Sequence, residues 1–218
     1  MTTTRARGPH ILKGALVTVN PASATPQVIA FQYNPATLRR TLSPQMVGGE
    51  ENDRSQAVRF TGAPVQTLSV DVDLDAADQL NKNEATAVQY GIYPQLSALE
   101  LLVYPSISQI NHNQTLLASG TLEVAPLAAP NTLFVWGAQR VLPVRLNRYS
   151  IIEELFDARL NPIGATVSLS MRVLNYSDLA SNNPEYNQFV AYQRSLVTMA
   201  KSALSNATQG LGVHTSQL

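Results

Sequence analysis

From Leu68 to Leu74 every second position is apolar: Leu68, Val70, Val72 and Leu74 alternate with Ser69, Asp71, Asp73 and Asp75. A period of two puts the two sets on opposite faces of an extended chain, so this segment predicts a strand with one buried face. Shorter segments with strand character run from Ala15 to Val19, Val28 to Tyr33, Leu38 to Ser43 and Thr132 to Trp136. Others run from Val141 to Asn147, Ser150 to Phe156 and Thr166 to Leu174. Asn161-Pro162 and Gly164 carry turn chemistry, which predicts a hairpin between the last two strands. Many strands joined by short turns predict a mainly β protein, an antiparallel barrel or sandwich.

Two segments break this pattern with helical spacing. Leu96, Leu99, Leu102 and Val103 share one face of a short helix over Gln95 to Val103, with Pro94 suited to its first turn and Pro105 beyond its end. Near the C-terminus, Asn183 is a natural N-cap and Pro184 suits the first helical position. Phe189, Tyr192, Leu196, Met199 and Ala203 then recur at intervals of three and four, giving one apolar stripe. That helix follows a polar link from Asn175 to Asn183, so it is expected as an appendage docking on the barrel or on a neighbour. The predicted organisation is an arm over residues 1–10, a β domain over 11–175 and a helical extension over 176–218.

Two long polar connections stand out. Pro44 to Pro64 contains Gly48-Gly49 and then Glu50, Glu51, Asn52, Asp53 and Arg54. A loop of this length inside a compact domain is usually functional or disordered. Asp78 to Tyr93 is the second.

Composition narrows the function. Of 218 residues only 14% are charged, against roughly 25% in ordinary soluble domains. Low charge fits a surface covered by partners, and equally a surface rich in Asn, Gln, Ser and Thr; composition leaves both open. Fifteen basic and fifteen acidic residues cancel, so no global field attracts nucleic acid or an anionic membrane. With no cysteine there are no disulfides, thiolate nucleophiles or cysteine-held zinc. The first residues lack the apolar run of a signal peptide, and eighteen apolar residues never occur together, so cytoplasmic synthesis without membrane insertion is expected. Release of a finished particle by lysis would leave no trace in the sequence.

Candidate chemistry is sparse. Asp71, Asp73 and Asp75 begin like a calcium loop, but the sixth position is Ala76 where glycine is required and the twelfth is Lys82 where glutamate is required. Their alternation with Leu and Val also describes a straight strand, which cannot wrap an ion. These three are therefore expected on a solvated face, lining a pore or meeting a neighbour. His10, His112 and His214 have no metal-ligand spacing, and no nucleophile elbow or phosphate loop occurs. No catalytic residue, cofactor or metal site is expected. Arg39, Arg40, Arg140, Arg145 and Arg148 are spread over separate predicted strands and their flanks without the aromatic interleaving of a nucleic-acid platform. Trp136 is a core residue or an interface anchor.

The order of four motifs goes further. Phe31-Gln-Tyr-Asn-Pro35 is followed by Leu38; Phe60-Thr-Gly-x-Pro64 leads into the alternating strand; Tyr93-Pro94 opens the short helix. Pro130-Asn-Thr-Leu-Phe-Val-Trp-Gly137 precedes Leu142 to Asn147, Tyr149 to Phe156, a Pro-Ile-Gly turn and a final strand over Ala165 to Val173. Over residues 11 to 175 this resembles the tube-protein family of contractile injection systems. The resemblance implies the tail-tube fold, six copies in a ring and no enzymatic activity. The aromatic-Asn-Pro opening is similar to the subgroup that joins the central spike to the inner tube and initiates tube assembly. Partners implied are the chain itself, a spike protein, inner-tube subunits and other baseplate proteins. Many relatives continue into a peptidoglycan-binding domain; here a helix follows, so wall binding is not carried over. Glu50, Glu51, Asp53 and Arg54, together with Phe189, Tyr192, Leu196 and Met199, are expected as ring or partner contacts. A main inner-tube subunit of the same machine and an unrelated soluble β-barrel module that binds a carbohydrate or peptide are the alternatives.

Overall fold

A computed structural model of the chain describes residues 12–19, 26–47, 59–120 and 130–204. In chain order the strands begin with β1 (Ala15–Val19), β2 (Gln27–Ala30), β3 (Leu38–Ser43), β4 (Met46–Val47), β5 (Arg59–Phe60) and β6 (Val65–Asp75). Helices α1 (Ala77–Asn81), α2 (Ala85–Tyr90), α3 (Tyr93–Glu100) and α4 (Ile107–Ala118) come next. Strands β7 (Asn131–Val135), β8 (Val141–Phe156) and β9 (Pro162–Val173) and helix α5 (Pro184–Leu204) complete the fold.

Seven strands form one antiparallel sheet in the order β2-β1-β7-β8-β9-β6-β3. As the pattern predicts, the architecture is mainly antiparallel β with subordinate helices and a C-terminal helix. The alternation in β6 sets the register: Leu68, Val70, Val72 and Leu74 face the core, opposite Met171, Leu169, Val167 and Ala165 of β9. Each such fully buried aliphatic contributes about 1.5–3 kcal/mol by leaving water. Leu16, Phe134 and Leu142 extend the same core along β1, β7 and β8, joined by Phe31 just after β2. Trp136 packs against this core, stacked on Phe134 with ring centroids 5.8 Å apart. The sheet curls enough that the chain leaving β2 reaches the end of β6. There Gln32 Nε2 donates to the Asp75 carbonyl at 2.7 Å, and the Asp75 N–H donates to Gln32 Oε1 at 3.0 Å.

β8 is one 16-residue strand where two were expected. Leu146 pairs with Met171 and Arg148 with Ser170, so Asn147 is the extra residue of a bulge. The bulge keeps the ladder with β9 running through a stretch whose apolar period is broken.

The helical content also exceeds the single internal helix expected. The connection from Asp78 to Tyr93 holds α1 and α2, too short for periodicity to show. α4 falls where no element was expected, and none of its residues is buried. Its start is a capping box: Gln109 N donates to Ser106 Oγ, and Ser106 N donates to Gln109 Oε1. The Ser-x-x-Gln spacing that makes it is visible in the sequence.

Two helices pack on the core side of the sheet. α3 contributes Leu96 and Leu99. α5 inserts Phe189 and Tyr192 and is pinned at two polar points: Arg40 Nη2 donates to Tyr192 Oη at 2.9 Å, and Ser195 Oγ donates to Gln139 Oε1 at 2.8 Å. The expected appendage therefore shares its first turns with the core of the β domain.

Candidate interaction surfaces

Residues of β3, β6, β9 and β8 that point away from the core form a face on which neither α3 nor α5 packs. Register assigns them to rows across the sheet. Thr41, Thr67, Arg172 and Arg145 make one row, and Arg39, Ser69, Ser170 and Arg148 the next. Then come Asp71 with Ser168 and Ser150, Asp73 with Thr166 and Ile152, and Asp75 with Gly164 and Glu154. Successive rows are about 7 Å apart, twice the strand rise. The face is thus basic at one end of the strands and acidic at the other.

The carboxylates do not fold back onto these arginines. Asp71 Oδ1 accepts from Ser168 Oγ at 2.6 Å and Asp73 Oδ1 from Thr166 Oγ1 at 2.9 Å, which orients each charge without neutralising it. Asp75 differs: its Oδ1 accepts from the N–H of Ala77 and tethers the entry to α1. On the basic side, Arg172 is taken by Asp178 at 2.7 Å. Arg39, Arg145 and Arg148 are exposed and enter no salt bridge among the described residues.

Each end of the sheet also carries exposed apolar side chains. Beyond the basic end, β4 and β5 pair as Met46 with Phe60 and Val47 with Arg59, extending the β3–β6 hairpin into an arm. Phe60 is 75% exposed, and Leu42, Met46 and Val47 are open beside it. Glu50, Glu51, Asp53 and Arg54, expected as contacts, lie outside the described residues. At the acidic end, the β8–β9 turn exposes Leu155 and Leu160 at 71% and 75%, with Phe156 and Ile152 next to them. This turn is rigidly held. Asp157 Oδ1 accepts from the N–H groups of Arg159 and Asn161, and Asp157 Oδ2 accepts from Asn161 Nδ2. These bonds hold the Asp157 carboxyl below its ordinary pKa. The turn is bolted to α2: Arg159 Nη2 donates to the Val88 carbonyl, Asn161 Nδ2 to the Gln89 carbonyl, and the Ile92 N–H to the Pro162 carbonyl.

Of the stripe on α5 expected as a ring or partner contact, Phe189 and Tyr192 are buried in the chain's own core. Leu196 and Met199 remain exposed. Sequence reasoning missed the apolar turn of the β8–β9 hairpin and the shared face of Arg39, Arg145 and Arg148; Leu155, Phe156 and Leu160 around a turn were the available signal.

A cleft of about 350 Å³ lies between β2 and α3, lined mainly by Val28, Phe31, Val72, Leu74 and Leu99. Gln95 at its wall has a buried Oε1 without a partner among the described residues. Two titratable groups away from the bare face are shifted. Burial first, then Glu100 and Glu153, push the Tyr149 hydroxyl well above its ordinary value, so it stays protonated. Burial also raises the Glu185 carboxyl. Among the described residues no group of three or more His, Asp or Glu is placed to hold a metal, and no helix is long and apolar enough to cross a membrane.

No family model matches the sequence, and no curated protein matches it. Solved structures with detectable similarity include the tail of an empty gene transfer agent particle with C6 symmetry, at 11% identity over 73% of this chain and 90% of that chain, TM-score 0.30. The virion of the native gene transfer agent matches at 10% identity over 73% and 90%, TM-score 0.28. The sixfold-symmetrised baseplate of the anti-feeding prophage matches at 12% identity over 78% and 94%, TM-score 0.28.

Proposed function

We propose that this chain is a structural subunit of a contractile injection system, closing as a hexameric ring that joins the central spike to the inner tube and initiates tube assembly. The observation that carries this reading is the sheet's pair of open edges. Among the described residues β2 and β3 each pair on one side only, leaving a ladder of backbone donors and acceptors at both margins. Open edges invite pairing with another chain. Two different edges on one subunit make a heterologous contact, which gives a ring when the rotation closes. The ordered motifs from Phe31 to Val173 supply the identity of the machine and the adaptor position.

In such a ring the strands run along the axis with a tilt, as in any closed barrel. α3 and α5 occupy the core side, and a layer of helices fits the larger outer radius. The bare face then lines the channel. Under sixfold closure Asp71, Asp73 and Asp75 would contribute about eighteen carboxylates per ring. The exposed Leu196 and Met199 of α5 are left for the spike or the baseplate.

The absence of native cysteine gives a clean test. Val28→Cys on β2 is combined in turn with Arg39→Cys, Thr41→Cys or Ser43→Cys on β3, and the folded protein is oxidised at high concentration. At least one pair should give a ladder of cross-linked copies ending at six, because a disulfide forms only when the Cα atoms come within about 7 Å. If every pair stays uncross-linked between copies, edge pairing is wrong. Copy number in the particle separates the adaptor, with a handful of copies, from the alternative of a main tube subunit present in many rings.

A further inference from the structure

Two adjacent rows of the bare face present hydrogen-bond donors that no acceptor of the chain takes up. In one row Arg39 on β3 and Arg148 on β8 flank Ser69 and Ser170. Arg145 belongs to the other, with Thr67 and with Arg172, which Asp178 neutralises. Neighbouring strands lie about 4.8 Å apart, so Arg39 and Arg148 start about 14 Å apart. Each guanidinium is on a stem long enough to swing over the serine beside it. On the acidic rows the hydroxyls are already used, since Ser168 and Thr166 donate to Asp71 and Asp73. On the basic rows Arg39, Arg145, Arg148, Ser69 and Ser170 make no side-chain hydrogen bond or salt bridge among the described residues. The bulge at Asn147 is what brings Arg145 and Arg148 to one face.

We propose that these two rows bind the phosphate backbone of a single-stranded nucleic acid. A phosphate group is all acceptor, and the forked guanidinium matches its oxygens two at a time. Arginine together with serine and threonine hydroxyls is the donor set that phosphate contacts draw on. A flexible strand can follow rows about 7 Å apart. The rows carry no apolar side chain, so an acidic peptide would find none of the anchors on which peptide affinity depends. They carry no aromatic ring either, so bases have nothing to stack on and the contact ignores sequence. A net charge of zero does not oppose this, because salt confines each field to about 10 Å. Asp71 stands one row away from Arg39 and Arg148, which weakens the contact and limits it to about three phosphates.

A single copy suffices for this contact. The ring reading enters only in what six copies would do together: their patches would form a basic band inside the channel and hold one strand at several points, which raises avidity.

The test is fluorescence anisotropy of a labelled thymidine strand of about 15 nucleotides, titrated with the full chain. Three neutralised phosphates give a log–log salt slope of about −2, so the dissociation constant should rise about twentyfold between about 0.05 M and 0.2 M salt. Arg39→Gln/Arg145→Gln/Arg148→Gln, checked for native fold by circular dichroism, should weaken binding at least about tenfold at the lower salt and flatten the slope. Arg194→Gln/Lys201→Gln/Lys82→Gln removes the same charge from α5 and the C-cap of α1, outside both rows, and should bind like the parent. Asp71→Asn removes the nearest carboxylate and should tighten binding about threefold. A parent that does not bind, equal losses from the two triple variants, or unchanged affinity in Asp71→Asn would each overturn the proposal. Labelled polyglutamate binding as tightly as the thymidine strand would also overturn it and give the face to an acidic protein segment. The cysteine pairs between β2 and β3 report ring closure independently. Cross-linked rings that bind no strand sink this inference alone, and strand binding without cross-linking sinks the ring alone.

Discussion

Gly91→Ala should be among the most destabilising small substitutions in the chain. Gly91 lies between α2 and α3 with φ +59°, a backbone conformation that side chains other than hydrogen rarely adopt. A Cβ placed there would sit 2.1 Å from the Pro162 carbonyl oxygen, which is backbone and cannot swing aside. The same oxygen accepts the Ile92 N–H at 2.9 Å, so retreat of Pro162 breaks a bond that ties the β8–β9 turn to the helices. A strained non-glycine backbone costs about 1–3 kcal/mol, and a buried amide left without a partner about 1–3 kcal/mol more. The sum, about 2–6 kcal/mol, is a large part of the roughly 5–15 kcal/mol that holds a domain together. With a urea m-value of about 2 kcal/mol/M, the unfolding midpoint should fall by about 2 M. Equilibrium urea unfolding followed by tryptophan fluorescence reads this through Trp136, the one tryptophan in the sequence. Gly91→Ser should behave alike, because the overlap belongs to Cβ. A midpoint within about 0.3 M of the parent, with unchanged m-value, would refute the close approach and the positive φ together.

Other substitutions probe α5 and the turn. Phe189→Ala should cost about 3–5 kcal/mol and strip hydrogen-exchange protection from α5 while β6 and β9 keep theirs; uniform loss would show that the helix unfolds only with the sheet. Tyr192→Phe removes the acceptor for Arg40 and should cost about 1–3 kcal/mol by thermal unfolding, whereas a neutral result would mean the guanidinium is satisfied elsewhere. Glu185 has a raised folded pKa, so the unfolded chain loses its proton first as pH rises. Its contribution therefore makes stability fall from the ordinary glutamate range upward through the raised value. Glu185→Gln should flatten that slope, and an unaltered stability–pH profile would contradict the burial of this carboxyl. Asp157 is depressed instead, so its support of the turn should be present at neutral pH and lost as pH falls through the lowered value; a carbon-detected NMR titration at the ordinary aspartate pKa would count against it.

The most legible part of the fold was β6. Its strict alternation named the buried side and the exposed side, and the structure keeps both. α5 was legible for the same reason at a different period, although its stripe is divided: Phe189 and Tyr192 enter the core while Leu196 and Met199 stay outside. β8 was misread as two strands because Asn147 is a bulge. Without it, Arg145 and Arg148 would fall on opposite faces; with it, both point outward while Leu146 and Tyr149 are packed against the core. The basic end was therefore hidden. α1 and α2 escaped because five or six residues cannot display a helical period, and α4 because no apolar stripe of it reaches the core. Its capping box alone marked the start.

The proposed ring depends on how copies meet at the sheet edges. Cryo-electron microscopy of the purified chain at high concentration and low salt measures this most directly. The expected images are sixfold rings in which β2 of each copy lies beside β3 of the next, with the bare face turned to a central channel. A population of single copies, or rings joined through any other surface with both edges still open, would contradict it.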